Sequence, residues 1–400
     1  MAKYDLSTAS NLFKIKYGKL SDNVYNSSNV TLGRVKKSYD FVGKQMLIAQ
    51  PLSFAGGVGA GLLPTSNYQS VADIAVTAKK VYSTVQIDRE AIKASSENQG
   101  AFIEMTKHAA QRGVESFMRV ASMFLFGNSD GSLGTVSANA SGTAADPVVV
   151  ISAATWKEAS FEEKDYVNCG TDASVFEIIA VVPATRTVTL NRISGALDLT
   201  AAGSGLVVYL QNSKDMAPSG LKAVCDATTG TLYGIPVSRR WQASQIAAAG
   251  AGITPDLMNQ LMLDVQRKSG KVPNLIVTSF TQYRKILNVL EDQKEYLVEP
   301  RSEDLKGKIS FRGLEFMSSA GAVPIFPERF VEDDRLYALN DHNIHLHHRP
   351  DFGWFDDDGS VFMRVGGGSG SIDAYGATYG GYYENLITPS FQGVITGLAT

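Results

Sequence analysis

The sequence predicts an α+β fold made of a long hairpin arm, one spine-like helix, a small inserted β-rich module and a separate lobe in which helix and strand alternate. Three observations carry this prediction. Two strand-patterned runs, 35–50 and 71–87, flank a glycine-rich tip. One apolar stripe, Ile103, Ala110, Val114, Phe117, Ala121 and Phe124, recurs at helical spacings of three, four and seven. From 233 to 290 helix and strand signals alternate, and strand pattern returns beyond Gly307.

Residues 1–31 are polar and irregular, with Ser21-Asp22-Asn23 and Asn26-Ser27-Ser28-Asn29, and read as an extended arm. In the hairpin, Ile74, Val76 and Ala78 share one face. Val81, Val85 and Ile87 occupy the other, after a bulge expected at Lys79-Lys80. The tip, Phe54-Ala55-Gly56-Gly57-Val58-Gly59-Ala60-Gly61, closes at Pro64. Such an arm is marginal in water unless a third surface covers it. The spine helix has Lys107, Gln111 and Arg112 off its stripe, Asn98 as cap and Gly127 as stop. A Gly/Ser/Asn-rich linker, 127–145, precedes short strands at 148–151, 176–182, 187–190 and 206–210, read as an inserted module at 143–213. Thr254-Pro255-Asp256 starts a helix that Gly270 closes after Lys268. Leu275-Ile276-Val277-Thr278 is then a buried strand, and Ser279 caps a helix carrying Tyr283, Ile286, Leu287 and Leu290. Later strands are expected at 309–316, 336–339, 344–348 and 361–365.

Length and composition bound the function. A chain of 400 residues allows two or three domains and a sizeable core. With 44% hydrophobic and only 19% charged residues, it is sparsely charged for a free soluble monomer, so much of its surface is expected to meet protein. A formal net charge of -3 argues against gripping nucleic acid by counterion release. Two cysteines, Cys169 and Cys225, are too few for a secreted disulfide scaffold and read as free thiols, with a single bridge left open. Neither a signal peptide nor a run of about 20 apolar residues occurs, so a soluble, cytosol-made protein is expected.

The order of elements resembles the major capsid protein of tailed bacteriophages, the Hong Kong 97-type fold. The resemblance rests on Val85-Gln86-Ile87-Asp88-Arg89-Glu90-Ala91-Ile92-Lys93-Ala94-Ser95 and Leu232-Tyr233-Gly234-Ile235-Pro236-Val237. It continues through Pro273-Asn274-Leu275-Ile276-Val277-Thr278, Phe311-Arg312-Gly313-Leu314-Glu315-Phe316, Val323-Pro324-Ile325-Phe326 and Tyr379-Gly380-Gly381-Tyr382-Tyr383-Glu384-Asn385. It implies an N-terminal arm (1–31), an E-loop (32–87), a peripheral domain with the spine helix (88–142) and an inserted β-rich domain (143–213). An axial domain (214–310), further peripheral strands (311–375) and a C-terminal strand of the axial domain (376–400) complete it.

The implied function is a major capsid protein whose hexamers and pentamers form an icosahedral head around double-stranded DNA. The E-loop tip, with Phe54, Gly56, Gly57, Gly59, Gly61 and Pro64, would contact a neighbouring subunit. Implied partners are other copies of the chain, a scaffolding protein, a portal, a decoration protein and packaged DNA bound without sequence preference. No membrane, catalytic residue, cofactor or metal is implied. The scaffold is expected to be a separate protein, because 1–31 is short for a fused one. The location is the virion, assembled in the host bacterial cytoplasm. One branch of the fold cross-links an E-loop Lys to a neighbour's Asn; here 51–78 contain no Lys, the nearest being Lys44 and Lys79-Lys80, so non-covalent shells are expected. An encapsulin-type shell is the alternative within the fold.

Other patterns invite chemistry. His342, His345, His347 and His348, followed by Asp351 and Asp356-Asp357-Asp358, suggest a transition-metal site and hence a metal-dependent enzyme, since His345 and His347 project from one strand face. Without a recognised ligand spacing, a solvated strand and turn is the expectation. The run 56–61 lacks the third glycine of a dinucleotide loop and any Gly-Lys-Ser/Thr, and Gly366-Gly367-Gly368-Ser369-Gly370 reads as a turn. Lys36-Lys37 and Arg239-Arg240-Trp241 are the basic candidates for touching DNA, with solvated faces or intersubunit ion pairs the expected reading. His108 lies on the spine helix and neither Cys has a neighbouring base, so no nucleophilic arrangement can be built.

Overall fold

In the computed structural model the two strand-patterned runs do pair, but the return strand serves two sheets. The described residues are 30–38, 41, 43, 45–52, 71–88, 99–291, 314–319, 321–356, 361–365 and 374–400. The arm 1–29, the hairpin tip with Phe54, Gly56, Gly57, Gly59, Gly61 and Pro64, the cap Asn98 and the run 366–370 lie outside them.

A short helix, Val30–Arg34 (α1), leads into Lys36–Ser38 (β1). Gln45–Pro51 (β2) and Val71–Thr77 (β3) pair antiparallel from Gln45↔Thr77 to Pro51↔Val71. Past Ala78 the chain resumes as Lys79–Asp88 (β4) in a different sheet, so the expected bulge is a change of sheet. The burial phase changes with it: Ile74 and Val76 are buried before the switch, Val81 and Ile87 after it. The spine helix follows as Gln99–Leu125 (α2), stopped where the Gly127 N–H donates to the Phe124 carbonyl, 3.0 Å.

The inserted module comprises Ser132–Thr135 (β5), Ser141–Gly142 (β6), Pro147–Val150 (β7), Tyr166–Cys169 (β8), Val175–Val182 (β9), Thr187–Ser194 (β10), a turn of helix Leu199–Ala202 (α3) and Val207–Leu210 (β11). Its strand order is β5-β11-β8-β9-β10-β7-β6. The sheet closes on itself beside Val136↔Ile151, where Ser152 N–H donates to the Thr135 carbonyl and Ser137 N–H to the Val150 carbonyl, 2.8 Å each. Val149, Val167, Cys169, Phe176, Ile178, Val188, Leu190 and Val208 fill this barrel. Its first strand falls in the stretch read as a linker. The sequence Ser-Leu-Gly-Thr carries no β-branched run to announce a strand, and Gly134 is needed because a Cβ there would stand 2.8 Å from Ile151 Cγ2.

Beyond the barrel come Leu221–Asp226 (α4), Thr231–Leu232 (β12), Ile235–Pro236 (β13), Ser244–Ala247 (β14), Pro255–Ser269 (α5), Leu275–Thr278 (β15) and Phe280–Glu291 (α6). The caps read from sequence hold: Thr254 Oγ1 accepts from Leu257 N–H at 3.2 Å, Gly270 takes φ 74°, and Ser279 Oγ accepts from Gln282 N–H at 3.2 Å. The chain ends with Leu314–Ser318 (β16), Gly321–Pro327 (β17), Leu336–Leu339 (β18), Ile344–Trp354 (β19), Met363–Val365 (β20), Ala374–Ile387 (β21) and Gly393–Thr396 (β22).

Pairing divides these late strands differently from the expected segments. β16, β17, β18 and β22 join β14 and β15 in a lobe sheet ordered β14-β22-β18-β15-β17-β16. β15, buried at every position, sits between β17 and β18. β19, β20 and β21 instead form the sheet under the spine helix, with β4 along one edge of β21 and β19 and β20 along the other. Thus 311–375 and 376–400 are each shared between two sheets, because a central strand must find hydrogen-bond partners on both edges. The glycines of β21 permit its central place: a Cβ on Gly380 would stand 2.3 Å from the Val81 carbonyl oxygen, and one on Gly381 2.7 Å from Phe352.

Phe117 of the spine helix packs on Phe352 and Tyr379, ring centroids 5.1 and 5.3 Å apart. Val114, Phe117, Ala121 and Phe124 are buried as the stripe predicts. From Val120 to Gly127 every position is buried, since the barrel covers the side away from the sheet.

Candidate assembly surfaces

The hairpin root is held from one side. Phe41, Ile74, Val76, Ile235, Trp241 and Leu386 form a separate apolar cluster beneath it. The supporting turn is a two-residue β12–β13 hairpin with Tyr233 at φ 53° and Gly234 at φ 84°, the left-handed pair that a type I′ turn uses. Tyr233 is kept in this conformation by its surroundings. Its hydroxyl donates to the Asn385 carbonyl at 2.8 Å and accepts from Ile387 N–H at 3.1 Å, while its carbonyl accepts from Ala75 N–H at 2.9 Å. The other face of the hairpin is bare: Leu47 is 62% and Val71 56% exposed. Among the described residues β2 and β3 pair as strands only with each other, leaving two long edges.

Two buried charged sites fix this frame. Glu332 is 4% exposed and meets Lys222 Nζ and Arg335 Nε at 2.5 Å each and Lys157 Nζ at 3.6 Å. Lys157 also donates to the Phe126 carbonyl at 3.1 Å, and Arg335 to Asp226 Oδ1 at 2.6 Å. Barrel, spine helix, α4 and lobe therefore meet at one carboxylate. Burial alone would raise the Glu332 carboxyl, but the three cations outweigh it and hold it below the usual range, while burial lowers the Lys157 ammonium. The second site is Glu384 on β21, opposite His347 and buried beneath the Ser219 N–H, which donates to it at 2.6 Å. Burial raises the Glu384 carboxyl to about 7, against the pull of that hydrogen bond and of Lys79.

Sequence reading missed both sites. Their signal was present: Glu332-Asp333-Asp334-Arg335 is a charged quartet between apolar runs, and Glu384 is a lone charge in Tyr382-Tyr383-Glu384-Asn385-Leu386-Ile387.

The histidines do not converge. His345 and His347 share a strand face with ring centroids 6.1 Å apart, as predicted, whereas His348 stacks on Phe352 at 5.0 Å on the spine-helix side and His342 sits in an exposed turn. Asp357 and Asp358 lie outside the described residues, and among those described no three His, Cys, Asp or Glu side chains gather as a metal requires. The two basic candidates separate. Lys36 and Lys37 lie on β1, whose neighbour is β19, while Arg239 and Arg240 line a cleft with Arg267 and Lys268 beside the hairpin residues Pro51 and Leu52. Cys169 and Cys225 are free and buried, and burial pushes the Cys169 thiol up to about 12 and Cys225 higher still, so neither is a nucleophile. No helix among the described residues is long and apolar enough to cross a membrane.

No family model matches the chain, and no curated protein matches it by sequence. Its structure matches the capsid asymmetric unit of cyanophage A-1(L), with a TM-score of 0.53 at 10% identity, over 92% of this chain and 91% of that one. The chain has the Hong Kong 97-type capsid fold. Two further structures align with this capsid fold at lower scores. One is from Mycobacterium phage Adephagia (TM-score 0.44, 13% identity, 92% and 90% covered). The other is an encapsulin complex from Synechococcus elongatus (TM-score 0.43, 9% identity, 93% and 89% covered). Among the described residues, the hairpin exposes Leu47 and Val71 on one face, and β2 and β3 pair as strands only with each other.

Proposed function

We propose that this chain is the major capsid protein of a tailed phage, a structural protein without catalytic function, and that copies of it build an icosahedral shell around double-stranded DNA. The observation that carries the reading is a capsid fold spanning nearly the whole chain, with a two-stranded arm whose outer face leaves Leu47 and Val71 exposed. A lone subunit gains nothing from that arm; a closed assembly covers it in every copy. In this reading residues 32–87 are the E-loop. Its tip, with Phe54, Gly56, Gly57, Gly59, Gly61 and Pro64, lies on a neighbouring subunit, and the arm 1–31 adds a second overlap. The lobe carrying β14, β15 and β18 gathers around capsomer axes. Scaffolding protein, portal and decoration protein are the further partners, assembly occurs in the host cytoplasm, and DNA is enclosed without sequence-specific contact.

Negative-stain microscopy of the expressed chain with its scaffold tests the assembly. Particles hundreds of ångströms across are expected, on the scale of closed shells of many copies; a monodisperse species near 43 kDa overturns the reading. Nuclease-protected DNA in mature particles supports a phage head, whereas enclosed protein cargo identifies an encapsulin. On a denaturing gel mature particles should run as single chains, since 51–78 carry no Lys for a cross-link; a high-mass ladder refutes this.

A further inference from the structure

Two hollows of opposite charge lie at opposite ends of the lobe sheet. In that sheet β14 and β22 are parallel, β18 is antiparallel to both β22 and β15, and β17 is parallel to β15. The strands β14, β22, β15 and β17 therefore all run in one direction. Residues 239–243 lead into the start of β14, and Ser390 and Phe391 into the start of β22. With the end of α5 at Arg267 and Lys268 they enclose a cleft of about 780 Å³. Residues 279–281 leave the far end of β15 and residues 328–333 the far end of β17, and there they meet the barrel across a groove of about 520 Å³.

Among the described residues the cleft holds four cations against one carboxylate, Asp264, which pairs with Arg267 at 3.1 Å. Lys268 donates to the Ala243 carbonyl at 3.1 Å and feels the charge of Arg239. Arg239 and Arg240 are exposed and meet no carboxylate among the described residues. The groove has the reverse balance, five carboxylates against Lys157 and Arg329. Glu162 pairs with Arg119 at 2.9 Å, Glu328 accepts from Thr31, and Lys157 is taken by Glu332. Glu158 and Glu163 are exposed and pair with no cation among the described residues. Phe280 stands beside them, 59% exposed although it opens α6.

We infer that the basic cleft of one copy of this chain receives the acidic groove of the next, with Arg239 and Arg240 against Glu158 and Glu163. The inference rests on the proposed shell and names a contact that builds its rings. With the lobe sheet between them, the two hollows of one subunit do not meet. Two copies joined through the same end would set cation against cation or carboxylate against carboxylate, which is repulsive. The contact is therefore head to tail, and such a contact repeated about an axis closes a ring. Pro51 and Leu52 of the hairpin root border the cleft, so the neighbour that fills it also lies beside the hairpin.

Charge reversal in the full-length chain, expressed with its scaffold, tests this. Arg239→Glu with Arg240→Glu, or Glu158→Lys with Glu163→Lys, should lower particle yield at least about tenfold, and all four changes in one chain should restore it. Since the four side chains are exposed, urea midpoints of the unassembled subunits should stay unchanged. Arg239→Lys with Arg240→Lys keeps the charge and lets carbodiimide join either amine to a carboxylate with loss of water. In a mixture of light- and heavy-nitrogen chains, mass spectrometry should find position 239 or 240 of one chain linked to Glu158 or Glu163 of another. Absence of that link, or reversed pairs that leave yield unchanged or fail to rescue each other, overturns the inference, while particles formed by the unchanged chain leave the shell intact. If the unchanged chain forms no particles, the shell fails and the link alone decides the inference. Short duplex DNA held by the unchanged subunit but not by Arg239→Glu with Arg240→Glu assigns the cleft to phosphate and overturns it too.

Discussion

Gly113 shows how tertiary contact reverses a local preference. Exposed helical Gly→Ala changes stabilise by up to about 1 kcal/mol. Here a Cβ would stand 2.8 Å from Val85 Cγ2 and 3.2 Å from Trp354, so Gly113→Ala should destabilise by about 1–3 kcal/mol in urea unfolding. Glu384 is the corresponding case for charge. Its folded pKa, about 7, exceeds its unfolded value, so the stability it contributes is complete below the unfolded pKa and is lost as pH rises through about 7. Glu384→Gln should remove that dependence. The variant should be the more stable at pH 8, by on the order of 3 kcal/mol, with the advantage shrinking toward pH 5 when unfolding midpoints are compared. Of these two sites only the lone charge in an apolar run was visible in sequence; its partner, Ser219, is 165 residues away.

At the scale of elements, legibility followed the range of the forces involved. The helix Pro255–Ser269 was readable because Thr254, Pro255 and Gly270 act within one turn of its ends. The strands of the hairpin were readable from alternation, but the change of sheet at Ala78 was not, since β21 competes for the return strand from nearly three hundred residues away. Ser132–Thr135 escaped notice because its place in the barrel depends on β11 and the ends of β7, not on its own composition. The hairpin also yields a prediction at this scale. Leu47→Asp lies on the bare face, so subunit stability should change by less than about 0.5 kcal/mol while particle yield under the microscope falls sharply. Normal particles would show that this face is not buried on assembly.

For the whole molecule, the buried carboxylate Glu332 joins barrel, spine helix and lobe, so its loss should be felt as a loss of coherence between them. Glu332→Ala leaves Lys157, Lys222 and Arg335 without their shared anion, and should cost about 3–5 kcal/mol, measured as a lowered urea midpoint. The net charge of -3 acquires a meaning at this scale in the proposed shell. A mildly acidic wall lets packaged DNA slide where a basic one would hold it. By itself the sequence determined the class of fold, the paired strands of the hairpin, the spine helix, the capped lobe helices and the family resemblance, because periodicity, caps and turn residues act over a few neighbours. Only the tertiary structure decided which sheet each late strand joins, where the barrel begins, that the histidines part to different faces, and that a few charges are buried together. Those outcomes depend on edges and cavities supplied by residues a hundred or more positions apart, and no local pattern records them.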